Sequence, residues 1–303
     1  MNTELLQNFS VIFISIILEA LPFVLLGVII SALIQVFVSE SIIAKLLPKN
    51  KFIGILIASL TGFVFPICEC AVIPIGRRLI KKGVPINMAV AFMLSVPIVN
   101  PVVLLSTYYA FHGRPYVVLI RGLGGFIIAF TIGAIMGAIE NLNCLKPSYS
   151  DYEDVCSCGY NHNYKKKTSR FIEILNHVSA ELYDIGKFLI IGAFVSAAFQ
   201  VVVPREQISS LGQNSTYSII VMLLFAFLIS LCSEADAFIG STFLGQFTLG
   251  SIIGFLLLGP MIDIKNTLML NYSFKKGFIV KQLILIFSFC FAAAYIINVF
   301  FKL

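Results

Sequence analysis

The chain has 303 residues, of which 59% are hydrophobic and only 12% charged, at a mean hydropathy of +0.97. No water-soluble core accounts for that composition, which places the chain among integral membrane proteins. In a soluble domain the formal net charge of +6 would suggest nucleic acid, but here the basic residues gather at the ends of apolar segments.

The opening MNTELLQ carries no positive charge and no small-residue cleavage site follows, so the first helix is expected to remain in the mature protein. Uncharged runs then cover 20–38, 52–68, 83–111, 207–233, 237–262 and 282–301. Most are near or above the roughly 20 residues that cross a bilayer as a helix. Aligned on itself, the chain brings Glu19 onto Asp184, Phe23 onto Phe188, Gly27 onto Gly192, Ser31 onto Ser196 and Gln35 onto Gln200. With small gaps, Cys68 then meets Cys232, and the stretch from Pro97 to Asn100 meets that from Pro260 to Asp263. The fold predicted is all-α and membrane-embedded: two homologous halves of about four membrane segments each, with broken or re-entrant helices. Residues 1–140 form the first repeat, 141–176 a cytoplasmic linker and 177–303 the second repeat.

Charge placement bears on orientation. If every apolar segment crosses once, Lys and Arg divide almost evenly between the two sides. If 53–76 and 217–245 instead enter and return, the groups at 45–51, 77–82, 146–170 and 265–276 share one side. Only Arg114, Arg205 and Lys302 then face the other. That arrangement is favoured; it leaves three spans per half, inverts the halves and puts the linker in the cytoplasm of a bacterial cell.

Ionisable groups inside a membrane are costly, on the order of 2.5 to 3.5 kcal/mol each on insertion scales, so they mark cavities or partners. Glu19, Glu69, Asp184, Glu234, Asp236 and Asp263 qualify. Lys187 is placed to neutralise Asp184, and Asp263, beside Lys265, is expected near the water interface. In PICECAVIP, Pro66 to Pro74, Cys68 and Cys70 flank Glu69. On a helix, positions two apart face away from each other, whereas a break lets both thiols reach one soft ligand. Pro66 and Pro74 supply reasons for such a break. Pro97, Asn100 and Pro101 interrupt one long apolar run, and Pro260 another. These prolines are the candidate gating positions. Thiolates select soft ions, while a carboxylate holds a proton or a harder cation; the alternative for each lone cysteine, Cys290 above all, is a small buried hydrophobe. In the linker, Cys156, Cys158 and His162 form a metal-capture candidate without the paired CxxC spacing of structural zinc. The alternative there is a solvated linker whose Lys165 to Lys167 meet anionic lipid. No phosphate-binding loop, HExxH or GxSxG occurs, so neither an ATP-driven pump nor a hydrolase is indicated, and no cofactor is expected.

The segments PICECAVIPIGRRLIKKGVPINMAVAFMLSVPIVNP, Pro66 to Pro101, and LCSEADAFIGSTF, Leu231 to Phe243, resemble the ArsP-like permeases, bacterial membrane proteins some of which export trivalent organoarsenicals. The resemblance implies that Cys68 and Cys70 bind a soft solute and that Asn100, Cys232, Glu234 and Asp236 line its path. It also implies a small membrane partner. The family's common CSC followed by Gly is replaced here by Glu69 and Ala71, a change toward a metal cation as substrate. The predicted function is a secondary permease for a thiol-reactive solute or transition-metal ion, outward and proton-coupled. The alternatives are a membrane thiol oxidoreductase cycling Cys68 and Cys70 through a disulfide, and an accessory subunit.

Overall fold

A computed structural model describes residues 2–37, 48, 50–63, 67–112, 114–140, 144–146, 170–202 and 215–300. Among them every regular element is a helix. The first half contributes α1 (Asn2–Phe37), α2 (Lys51–Leu60), α3 (Glu69–Lys81), α4 (Ile86–Val99), α5 (Pro101–Ala110) and α6 (Pro115–Ile139). The second contributes α7 (Arg170–Val202), α8 (Ser215–Ile229), α9 (Ser233–Thr242), α10 (Leu249–Met261), α11 (Ile264–Ser273) and α12 (Lys276–Phe300). Six stretches are long and apolar enough to cross a membrane: α1, α4 with α5, α6, α7, α10 with α11, and α12. At 1.5 Å per residue the 25-residue α6 and α12 reach about 37 Å, more than the roughly 30 Å hydrocarbon core.

The remaining helices, α2 with α3 and α8 with α9, form two hairpins. Gly54 of α2 faces Met88 and Gly62, just beyond it, faces Val96 and Val99, so α2 runs parallel to α4. Between α3 and α4 the chain turns at Gly83, whose φ of +93° favours glycine, and Gly76 comes back against Met93. Hence α3 is antiparallel to α4 and to α2, and Lys51 and Lys82 lie at the same end of the molecule. The second half is built alike. Ser218 Oγ lies 2.8 Å from Ser251 Oγ and Leu223 packs at Gly254, so α8 parallels α10. Gly240 facing Leu256 and Asp236 facing Gly259 bring α9 back along α10. Paired contacts therefore recur at matching places: Gly76 with Met93 and Gly240 with Leu256, Gly54 with Met88 and Ser218 with Ser251.

The long helices α1 and α7 lie antiparallel, with Phe9 and Phe13 against Phe194 at one end and Ser31 donating to Glu181 Oε2 at 2.9 Å near the other. This pair rests on α3 and α11, while α5 and α9 pack on each other away from it. Gly27 makes the close approach possible: a Cβ there would sit 2.7 Å from the Ala71 Cα. At the end opposite Phe194, Arg77 Nη2 donates to the Lys146 carbonyl at 3.0 Å. Lys146 Nζ donates to Asn271 Oδ1 at 2.9 Å, tying the start of the linker segment across α3 and α11.

Two sequence expectations are corrected. Pro74 does not end a helix; it lies within α3, and the break is at the hairpin tip before it. Asp263 is not at the water interface but fully buried, as is neighbouring Lys265 at 3% exposure, because both stand where α10 gives way to α11 inside a span.

Candidate functional site

Four half-helices begin in the middle of the bundle, and the residues that start them compose the site. Cys68 and Cys232 occupy the N-cap positions of α3 and α9 with extended backbone, at φ −78°, ψ 168° and φ −72°, ψ 147°. Asn100 caps α5 by accepting from the Val102 N–H at 2.9 Å. Asp263 caps α11, accepting from the Asn266 N–H at 2.5 Å. A helix N-terminus carries unpaired N–H groups and roughly half a positive charge. Acids in a first turn, such as Glu69, Glu234 and Asp236, are thus compensated in part without solvent.

Two buried cations complete the compensation. Lys265 Nζ lies 3.5 Å from Glu69 Oε1 and 3.7 Å from Asp263 Oδ2. Arg121, fully buried in α6, donates from Nη1 to Thr107 Oγ1 at 2.6 Å and from Nη2 to the Ser233 carbonyl at 2.9 Å. The Ser233 hydroxyl donates to Glu69 Oε2 at 2.8 Å, joining the two hairpin tips. Glu69 is therefore fixed on both oxygens.

The thiols converge beside this network. Because Cys68 precedes the first helical residue and Cys70 lies in the first turn, both reach one cavity rather than diverging as on a regular helix. Cys232 Sγ donates to Glu234 Oε2 at 2.7 Å. Cys68, Cys70 and Cys232 line one narrow cavity with Glu19, Glu69 and Lys265. At ≈ 10 Å³ it has room in this state for about one water. On the other face of Glu69 a second cavity of similar size is lined by Asn266, Gln282 and Pro260.

The structure thus gathers Cys68, Glu69, Cys70, Cys232, Glu234 and Asp236 about the hairpin tips. Asn100 is committed to its cap, a structural use of its side chain. Pro97 and Pro260 lie inside α4 and α10, one turn or less before the breaks, and Pro101 is the first residue of α5. Pro66, Cys156, Cys158, His162 and the Asp184 side chain lie outside the described residues. Among the described residues no three His, Cys, Asp or Glu side chains are grouped to hold a metal ion. Cys290 is an enclosed residue of α12, as expected of a small hydrophobe. Sequence reading missed Arg121, Lys265, Ser233 and Gln282. Arg121 had a signal of its own, a lone charge in the first third of a 25-residue apolar helix, whereas Lys265 was counted with a basic loop.

Broken apolar helices, paired hairpins and a polar centre at their tips define a polytopic membrane protein of transporter type. Residues 5–299 match the ArsP_1 family of predicted permeases, and the chain belongs to that family. It is 46% identical over 269 residues to the UPF0718 protein YcgR of Bacillus subtilis (strain 168), covering 88% of this chain and 89% of that one. It is 42% identical over 271 residues to a putative two-component membrane permease complex subunit of Streptococcus mutans serotype c, covering 89% and 88%. A shorter similarity, 30% over 80 residues, links it to the UPF0718 protein YraQ of Escherichia coli K12, covering 26% and 23%. No solved structure matches the chain.

Proposed function

We propose that this permease moves a small, neutral, thiol-reactive solute of the trivalent organoarsenical class, outward and in exchange for protons. The observation that carries this reading is the meeting of Cys68, Cys70 and Cys232, from both hairpin tips, on one cavity. A trivalent arsenical bearing two hydroxyls exchanges them for two thiols, releasing two waters and leaving no net charge, and the reverse exchange frees it on the far side. Glu69 raised the prospect of a bare metal cation. Lys265 in the cavity wall, 3.5 Å from Glu69, cancels that carboxylate and repels a divalent ion, which favours the neutral solute. Glu19, Glu69, Glu234, Asp236 and Asp263 outnumber Arg121 and Lys265, leaving surplus carboxylates to carry protons. The two halves, 1–140 and 177–303, would frame the path and the linker 141–176 would lie in the cytoplasm. The subunit name of the Streptococcus relative favours a membrane partner for this chain also.

Growth of a sensitised host against methylarsenite, arsenite, zinc, copper and cadmium tests the substrate. Resistance to methylarsenite alone is expected, and it should be lost in Cys68→Ser with Cys70→Ser at unchanged membrane content. Resistance to zinc or copper instead would overturn the neutral-solute reading. The presence of Cys68 and Cys70 on one cavity also suits a dithiol redox pair. Mass-tag alkylation during turnover separates the two, since a permease thiol stays reduced.

A further inference from the structure

We infer that the face formed by α5 and α9 is a second seat for the α1–α7 helix pair, so that the structure is one of two related states. The inference rests on the secondary-permease reading and adds to it which elements move and where they come to rest.

The α1–α7 pair now lies on α3 and α11. Gly27 of α1 seats at Ala71 of α3, and Gly192 of α7 at Lys265 of α11, where a Cβ would come within 2.8 Å of the Lys265 Cα. In the self-alignment of the chain Gly27 corresponds to Gly192, Ala71 to Ala235 of α9, and Lys265 to Val102 of α5. Exchanging the halves therefore places Gly192 at Ala235 and Gly27 at Val102. The packing needed for that exchange is half built, because α5 and α9 contact each other as α11 and α3 do.

Exposure shows which seat is filled. Lys265 is 3% exposed and its counterpart Val102 50%; Tyr272 is 8% exposed and its counterpart Tyr109 71%. Tyr272 is covered by Phe188 of α7, ring centroids 6.0 Å apart. Phe188 corresponds to Phe23 of α1, itself 40% exposed, so the exchange sets Phe23 on Tyr109. The filled seat is latched by a buried set: Arg78 of α3 lies 3.4 Å from Glu181 of α7, which also accepts from Ser31 of α1. Aromatic side chains at a membrane surface need no helix to cover them, but the anchoring of Tyr109 by lipid alone would not depend on a latch across the molecule.

The chain contains no tryptophan, so a single introduced one reports alone. Tyr109→Trp is placed in vesicles of brominated phosphatidylcholine, with and without Glu181→Gln. Strong quenching is expected with the latch intact. Breaking a buried pair shifts a two-state ratio on the order of tenfold, and quenching should fall by about half or more as α1 covers the ring. If Glu181→Gln fails to insert, Arg78→Gln with Glu181→Gln removes both charges and takes its place. Equal quenching with and without the latch overturns the second seat. A transport arm blocks the seat directly: Val102→Trp is expected to cut efflux about tenfold or more while inserting normally, against no change for Ile284→Trp on the lipid face of α12. Equal efflux in those two variants also overturns the proposal. Quenching needs no solute, so a wrong substrate assignment leaves it unaffected, whereas a wrong seat leaves solute resistance intact.

Discussion

Glu69 is held by Ser233 on one oxygen and faces Lys265 with the other. Removing one partner of a buried pair strands a charge at a cost of about 3–5 kcal/mol, whereas removing both is far cheaper. Lys265→Met is therefore expected to lower the unfolding midpoint in detergent sharply, and Glu69→Gln with Lys265→Met to recover most of that loss. If the double variant is as unstable as the single one, the pair is not what holds the lysine. Cys144 makes a different residue-scale case, outside the spans. Burial, with Glu140 adding to it, pushes its thiol up to about 11 from a usual 9.0. Only the thiolate is nucleophilic, so near pH 7.5 its alkylation should be about 100-fold slower than that of an ordinary thiol. Rates should climb as pH rises toward 11, measured by mass spectrometry of the peptide that carries it.

Helices inside a membrane must end on something. Where α4 stops and α5 starts, the freed N–H of Val102 is taken by Asn100, and in the second half Asp263 takes that of Asn266. Pro101 fits at the first position of α5 because no N–H is required there. An N-cap oxygen is worth about 1 kcal/mol in water, and with no water to replace it the loss should exceed that. Asn100→Ala is thus expected to destabilise the protein by about 1–3 kcal/mol, and Asn100→Asp to be tolerated, read from thermal unfolding in detergent. A substrate role would show the opposite pattern, stability kept and flux lost. These breaks were legible in the sequence because proline and a capping residue fall at matching places in two apolar runs. The hairpin tip lies ahead of Pro74, which α3 accommodates at its sixth position by giving up the helical bond to the Cys70 carbonyl. Legibility was poorest for cross-chain partners. Glu69, Cys70 and Glu234 stand out as polar letters in apolar text, but their compensation by Arg121 and Lys265 is a tertiary fact. A lysine a few residues from a proline and close to a basic loop carries no mark of its depth.

At the scale of the molecule, the hairpins and the distribution of charge make one claim from two directions. The packing of α2 along α4 and α3 against it puts Lys51 and Lys82 at the same end. Positive residues favour the cytoplasm, and among the described residues Lys51, Arg77, Arg78, Lys81, Lys82 and Lys146 gather at that end. Lys265 drops out of the count, being buried, yet the bias survives its loss because Lys275 and Lys276 remain. By the same reasoning Thr216, at the start of α8, and Gln246, beyond α9, share the opposite end with Arg114. Single cysteines at these positions, probed in intact cells with a membrane-impermeant maleimide, test the topology. Arg114→Cys, Thr216→Cys and Gln246→Cys should label from outside, and Lys51→Cys, Lys82→Cys and Lys276→Cys only after permeabilisation. If each apolar segment crossed once, Lys51 and Lys82 would fall on opposite sides, as would Thr216 and Gln246. That outcome would remove the re-entrant tips, and with them the reason for Cys68, Cys70 and Cys232 to meet at mid-membrane.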